Sequence, residues 1–141
     1  MQYFRGILMI YVQGGTKQQR KYAYSMADYV CNKFNIDPDI EISFRRLTNC
    51  QSLGGCVQVD AGEYEIDIKR SLRMREMLTT LAHELVHVKQ YELGELTQDN
   101  EAEYDYWDKP SEIEAHGRET GLFVRWAEEN NLAYKKWTQI D

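Results

Sequence analysis

Three residues in one short stretch can do chemistry together. His83, Glu84 and His87 lie in Thr80-Leu81-Ala82-His83-Glu84-Leu85-Val86-His87-Val88 as the pattern H-E-x-x-H. On a helix, residues four apart share a face, so both imidazoles project to the same side. Two imidazoles at that spacing can hold one Zn²⁺ between them. Glu84, beside His83, can reach a water at the metal's open position and take its proton as general base. Without a metal, the same pattern would be two half-buried histidines and an exposed Glu. Leu81, Leu85 and Val88 recur at helical spacing, offset from the histidines. That predicts a helix with one side in the core and the other on a cleft.

A catalytic zinc usually takes three protein ligands and keeps a place for water. Only one other histidine exists, His116, and the same turn carries Glu112 and Glu114. At roughly 100° per residue, Glu112 and His116 share a helical face, whereas Glu114 points about 160° away from Glu112. Ser111 and Glu114 also have capping-box spacing, which gives Glu114 a competing role. Ala115, close to the Glu112 face, would let this helix approach the histidine helix. The ring nitrogens not on the metal need acceptors of their own, and Glu119 is placed to be one.

The elements that must position these residues follow from periodicity. Tyr3 to Val12 is rich in β-branched and aromatic residues and reads as one buried strand. Thr16 can cap a helix from Lys17 to about Phe34, with Ala23, Met26, Ala27, Val30 and Phe34 on its inner face. Ile40 to Leu47 alternates as a strand with one wet face. Val57 and Val59, the turn Asp60-Ala61-Gly62, and Tyr64, Ile66 and Ile68 form a β-hairpin. Ser71 can cap the H-E-x-x-H helix, and Gly94 can end it. Glu95 to Lys109 is an acidic connection holding Asp99, Glu101, Glu103, Asp105 and Asp108 among Tyr104, Tyr106 and Trp107. It reads as a solvated loop with aromatic anchors. The alternative puts one of its tyrosines at the cleft, where a phenol can stabilise an oxyanion. Pro110 opens the last long helix, and the tail from Asn130 packs back or frays.

Composition bounds the rest. The chain of 141 residues carries a net charge of -6 with 28% charged residues. That suits one domain, residues 1–141, and argues against a nucleic-acid binder. The basic run Lys69-Arg70, Arg73 and Arg75 reads as a solvated helix start. Cys31, Cys50 and Cys56 lack C-x-x-C spacing and read as reduced thiols. The apolar run Ile7 to Val12 is too short for a signal core or a membrane span, so a cytoplasmic protein without a membrane partner is expected.

His83-Glu84-Leu85-Val86-His87 with the downstream Pro110-x-Glu112-Ile113-Glu114-Ala115 resembles the small zincin metallopeptidases of gluzincin type. These include the minigluzincins, the peptidase domain of ImmA-like proteins and short phage-encoded peptidases. The resemblance covers the two helices tightly and the preceding helix and strands loosely. It implies an α+β domain with a twisted, mostly antiparallel sheet of about four strands. The sheet would pack on the first helix and the H-E-x-x-H helix, with the third ligand on a C-terminal helix. It implies a zinc peptidase acting on polypeptides, with Glu112, three before Ala115, as third ligand beside His83 and His87; a monomer is expected. Substrate would lie along an edge strand, for which Cys56 to Asp60 is the expected place. The group often has Asp or Asn after the small residue; here His116 stands there. SprT-like peptidases instead use a third histidine before Gly, which His116-Gly117 resembles, although twenty-eight residues between His87 and His116 is a long spacing for them. A zinc-stabilised, non-catalytic protein-binding module and a peptidase acting on one repressor-like partner are the other expectations.

Overall fold

A computed structural model describes residues 2–5, 8–47, 52–97 and 100–139, with side chains from residue 9 onward. Ile7, Cys50 and Asp99, singled out above, lie outside these. The chain runs through strands β1 (Gln2–Arg5) and β2 (Leu8–Gln13), helix α1 (Lys17–Phe34) and strand β3 (Asp39–Arg45). The hairpin β4 (Gly54–Asp60) and β5 (Glu63–Lys69) follows, then α2 (Met74–Glu92) and α3 (Pro110–Glu129).

The fold is α+β, as expected, but the sheet has five strands in the order β1-β2-β3-β5-β4 and is mixed rather than mostly antiparallel. β1 pairs with β2, and β4 with β5, antiparallel; β2–β3 and β3–β5 are parallel. The physical reason is α1. A helix between β2 and β3 carries the chain back to the starting end, so the strands it joins run the same way. The expected single strand Tyr3 to Val12 is instead two paired strands. Asp60 pairs with Glu63, which leaves Ala61-Gly62 as the connection, one residue shorter than expected.

One face of the sheet carries the core. Ile10, Val12, Ile40, Ile42, Ile66 and Ile68 bury against Ala23, Met26 and Val30 of α1 and Met77, Leu78, Leu81 and Leu85 of α2. Burying each large aliphatic side chain contributes about 1.5–3 kcal/mol. α3 packs across α2 as a further layer through Ala115, Phe123 and Trp126, all fully buried. Ile113, by contrast, is exposed. The last segment folds back, with the Trp137 ring 6.0 Å from Tyr22 and 6.3 Å from Phe123.

Helix ends follow local chemistry in part. Thr16 and Gln19 form a capping box on α1. Gly94, at φ 74°, ends α2 in a left-handed turn, with Glu95 N–H bonded to Gln90 O and Gly94 N–H to Tyr91 O. Ser71 does not cap α2; the cap position is Arg73, without a side-chain bond. Ser111 and Glu114 do not form a capping box either. Glu101 accepts from the Ser111 N–H at 2.9 Å and from its hydroxyl, and Glu114 turns elsewhere. The basic run straddles the end of β5 and the start of α2.

Candidate metal centre

α2 is buried along its whole central stretch, residues 81–90. His83 and His87 therefore look into a narrow place between α2 and α3 rather than an open cleft. Each is 8% exposed. Helical spacing puts both rings on that side, with centroids 5.0 Å apart. From α3, Glu112 reaches across. His83 Nε2 lies 3.0 Å from its Oε1, and His87 Nε2 lies 3.0 Å from its Oε2. Ala115, without a side chain beyond Cβ, allows the approach.

The far nitrogens are also held. His83 Nδ1 meets Glu119 Oε1 at 3.2 Å, as expected for Glu119, and His87 Nδ1 meets Gln90 Oε1 at 2.8 Å. His116 sits beside His83, with centroids 4.5 Å apart. Its Nδ1 shares Glu119 Oε1 at 2.9 Å, and its Nε2 is 4.0 Å from Glu112 Oε1. Among the described residues, ligand atoms of His83, Glu112 and His116 lie within 4.8 Å of one another, a group that can hold a metal ion. His87, at its 3.0 Å contact with the same carboxylate, adjoins that group.

Electrostatics match this packing. Burial disfavours a charged His83, but its bonds to Glu112 and Glu119 outweigh that and hold it up at about 10. A ring facing acceptors at both nitrogens keeps both protons. His87 is raised in the same way, against burial, by Glu112 and Gln90. Burial acts to raise Glu112, yet the two imidazoles and the Tyr106 hydroxyl bring it well below the usual carboxylate range. Glu84 is pushed up by burial, a push the two histidine rings partly offset.

The donor set, imidazole nitrogens and a carboxylate, is one that a metal ion such as zinc can use. Bonds of about 2.0–2.1 Å at tetrahedral angles give ligand–ligand separations of about 3.3 Å. The two 3.0 Å nitrogen–oxygen contacts are close to that. Both imidazoles carry a bonded Nδ1, which is the usual support for a metal-ligating histidine.

Two hollows flank the centre. One of about 200 Å³ is lined by Cys56, His87, Tyr91 and Glu112. The other, of about 450 Å³, is lined by Leu53, Gly54, Thr80, His83, Glu84, Tyr106, Trp107 and His116. β4 is an edge strand of the sheet and contributes to both. Of β4, Gly54 and Cys56 line these hollows. A Cβ at Gly54 would stand 2.9 Å from Asp67 O and 3.0 Å from Thr80 Cγ2, so only glycine lets β4 lie this close to α2.

The connection before α3 covers the centre. The Tyr106 hydroxyl is 2.9 Å from Glu112 Oε1 and 3.0 Å from His116 Nε2, and Trp107 lies against the His116 ring at 5.0 Å. The tyrosine at the cleft is therefore Tyr106. Burial, Glu112 and nearby Glu84 and Glu119 all push its phenol well above the usual value. Glu114 is not at the centre; it bonds Lys89, Gln90 and Arg118. The spacing along the chain assigned neither Gln90 nor Glu101 a role at the centre. For Gln90 a signal existed: a polar residue three after His87 on the same helix.

Compared with known proteins, the chain matches no family model, no curated protein and no solved structure. Among the described residues, no helix is long and apolar enough to cross a membrane.

Proposed function

We propose that this chain is a zinc-dependent peptidase. The observation that carries the reading is the carboxylate of Glu112, whose two oxygens each meet the Nε2 of a histidine from the H-E-x-x-H pattern. His83, His87 and Glu112 would hold the ion. Zn²⁺ bound there supplies a Lewis acid for a carbonyl and lowers the pKa of a water. Glu84, on the wall of the larger hollow, takes the proton of the attacking water and passes it to the leaving amine. The Tyr106 hydroxyl is placed to donate to charge developing on the carbonyl oxygen. An extended polypeptide would lie along the outer edge of β4 by main-chain hydrogen bonds.

The grouping of His83, Glu112 and His116 favours a second ligand set, with His116 in place of His87. The first set is preferred because His116 Nε2 stands 4.0 Å from the nearer oxygen and is engaged by Tyr106. A zinc-stabilised binding module is the non-enzymatic alternative. Purified wild type and Glu84→Gln, compared for bound zinc and for cleavage of a peptide library, separate the two. The expected outcome is equal zinc with cleavage lost in the variant; a wild type that binds zinc and cuts no peptide sinks the peptidase reading.

A further inference from the structure

Gln90 lies one turn beyond His87 on α2 and is 2% exposed. Its amide nitrogen donates to Ser111 O and to Glu114 Oε1, both at 2.9 Å. Its carbonyl oxygen meets His87 Nδ1 at 2.8 Å. Ser111 O can only accept, which is enough to fix the amide, and the Glu114 oxygen lies on the same side. The amide nitrogen must face them, so the amide has one orientation and its oxygen is left for His87. An oxygen of that kind cannot donate, so His87 Nδ1 carries a hydrogen. When the ring gives up its other proton, the lone pair appears at Nε2, the atom that faces Glu112.

Two of these three bonds cross from α2 to α3. Ser111 immediately precedes Glu112, and Glu114 follows two residues later. The group that fixes the tautomer of His87 therefore also grips the turn of α3 that presents Glu112. We propose that Gln90 is a positioning residue for the metal centre: it selects the Nε2 lone pair of His87 and locks that ring to the Glu112 turn. Two ligands from separate helices are thereby held as a unit before the ion arrives. Such pre-organisation raises affinity by lowering the cost of ordering the site. This rests on the ligand set His83, His87 and Glu112.

The test is zinc affinity, measured by competition with a chromophoric chelator, for wild type, Gln90→Met and Gln90→Glu. Methionine fills a similar volume without donor or acceptor. Gln90→Met is expected to bind zinc about 10–100-fold more weakly while remaining folded. Gln90→Glu keeps an oxygen for His87 Nδ1–H but loses the donors to α3, and is expected to fall between. Nitrogen-resolved NMR of the zinc-loaded wild type adds a readout that needs no variant: His87 should show a protonated Nδ1 and a metal-bound Nε2. Zinc on His87 Nδ1 overturns the proposal, whether or not the variants fold. Equal affinity in wild type and folded Gln90→Met also overturns it and leaves the metal centre standing. A wild type that binds no zinc overturns the centre itself and this inference with it.

Discussion

Lys89 on α2 and Glu114 on α3 meet at 2.7 Å, two residues beyond His87 and two beyond Glu112. Lys89 is 5% exposed and also bonds Glu95 at 2.8 Å. A cation this buried is kept charged by its partners: burial works against it, and Glu114 and Glu95 more than restore it. Lys89→Met should therefore destabilise the fold by about 1–3 kcal/mol, because it strips partners from carboxylates that remain. The double change Lys89→Met with Glu114→Gln should recover part of that loss, since both charges then go. Urea unfolding measures both, and a double variant no better than the single one contradicts the pairing.

The two ligand sets differ in one residue each, so substitution separates them. His87→Ala should abolish tight zinc binding if His83, His87 and Glu112 form the set, and His116→Ala should leave it within a few fold. Glu112→Ala should abolish it under either set, because that carboxylate is common to both. Metal content after dialysis reads all three. Zinc lost in His116→Ala and kept in His87→Ala moves the ligand assignment to the second set.

How far the sequence reached depends on how local each feature was. Thr16, Gln19 and the stripe Ala23 to Val30 are neighbours along the chain, and α1 spans Lys17–Phe34 as their spacing predicts. That Glu119 shares the Glu112 face and can serve an imidazole was also legible from helical angle, although which ring it meets was not. The sheet was not. Its pairing depends on which strand β3 finds after α1, and no residue in β3 records that β5 will lie beside it in parallel register. Ser111 and Glu114 show a different failure. Their spacing suits a cap, yet Glu101 from the preceding connection takes the Ser111 N–H, and buried Lys89 claims Glu114. Tertiary partners of full charge outcompeted a local bond.

The Tyr106 hydroxyl donates to Glu112 at 2.9 Å and lies 3.0 Å from His116 Nε2. Tyr106→Phe removes one donor and leaves the ring to cover the centre. Under the proposed mechanism, zinc content should be unchanged while kcat falls about 10²-fold, the cost of losing one oxyanion donor. KM should move little, because the donor acts where charge develops rather than on the ground state. A variant with unaltered kcat excludes the phenol from the chemistry.

Metal removal should stop cleavage without dismantling the fold. The core of Ile10, Ile42, Ile66, Met26 and Leu81 closes without any contribution from the centre, and His83 and His87 each lie within hydrogen-bond reach of Glu112. Once the ion is removed, protonation of those rings compensates the carboxylate, so it is not left as an unpaired buried charge. Chelation should leave the far-ultraviolet dichroism intact and lower Tm. Zinc restored at about 1,000 times its dissociation constant should return about 4 kcal/mol of stability. Scanning calorimetry of the chelated and reloaded protein measures this. A chain that unfolds on chelation would mean that the ion is a structural member of the fold, closer to the module reading than to the peptidase one.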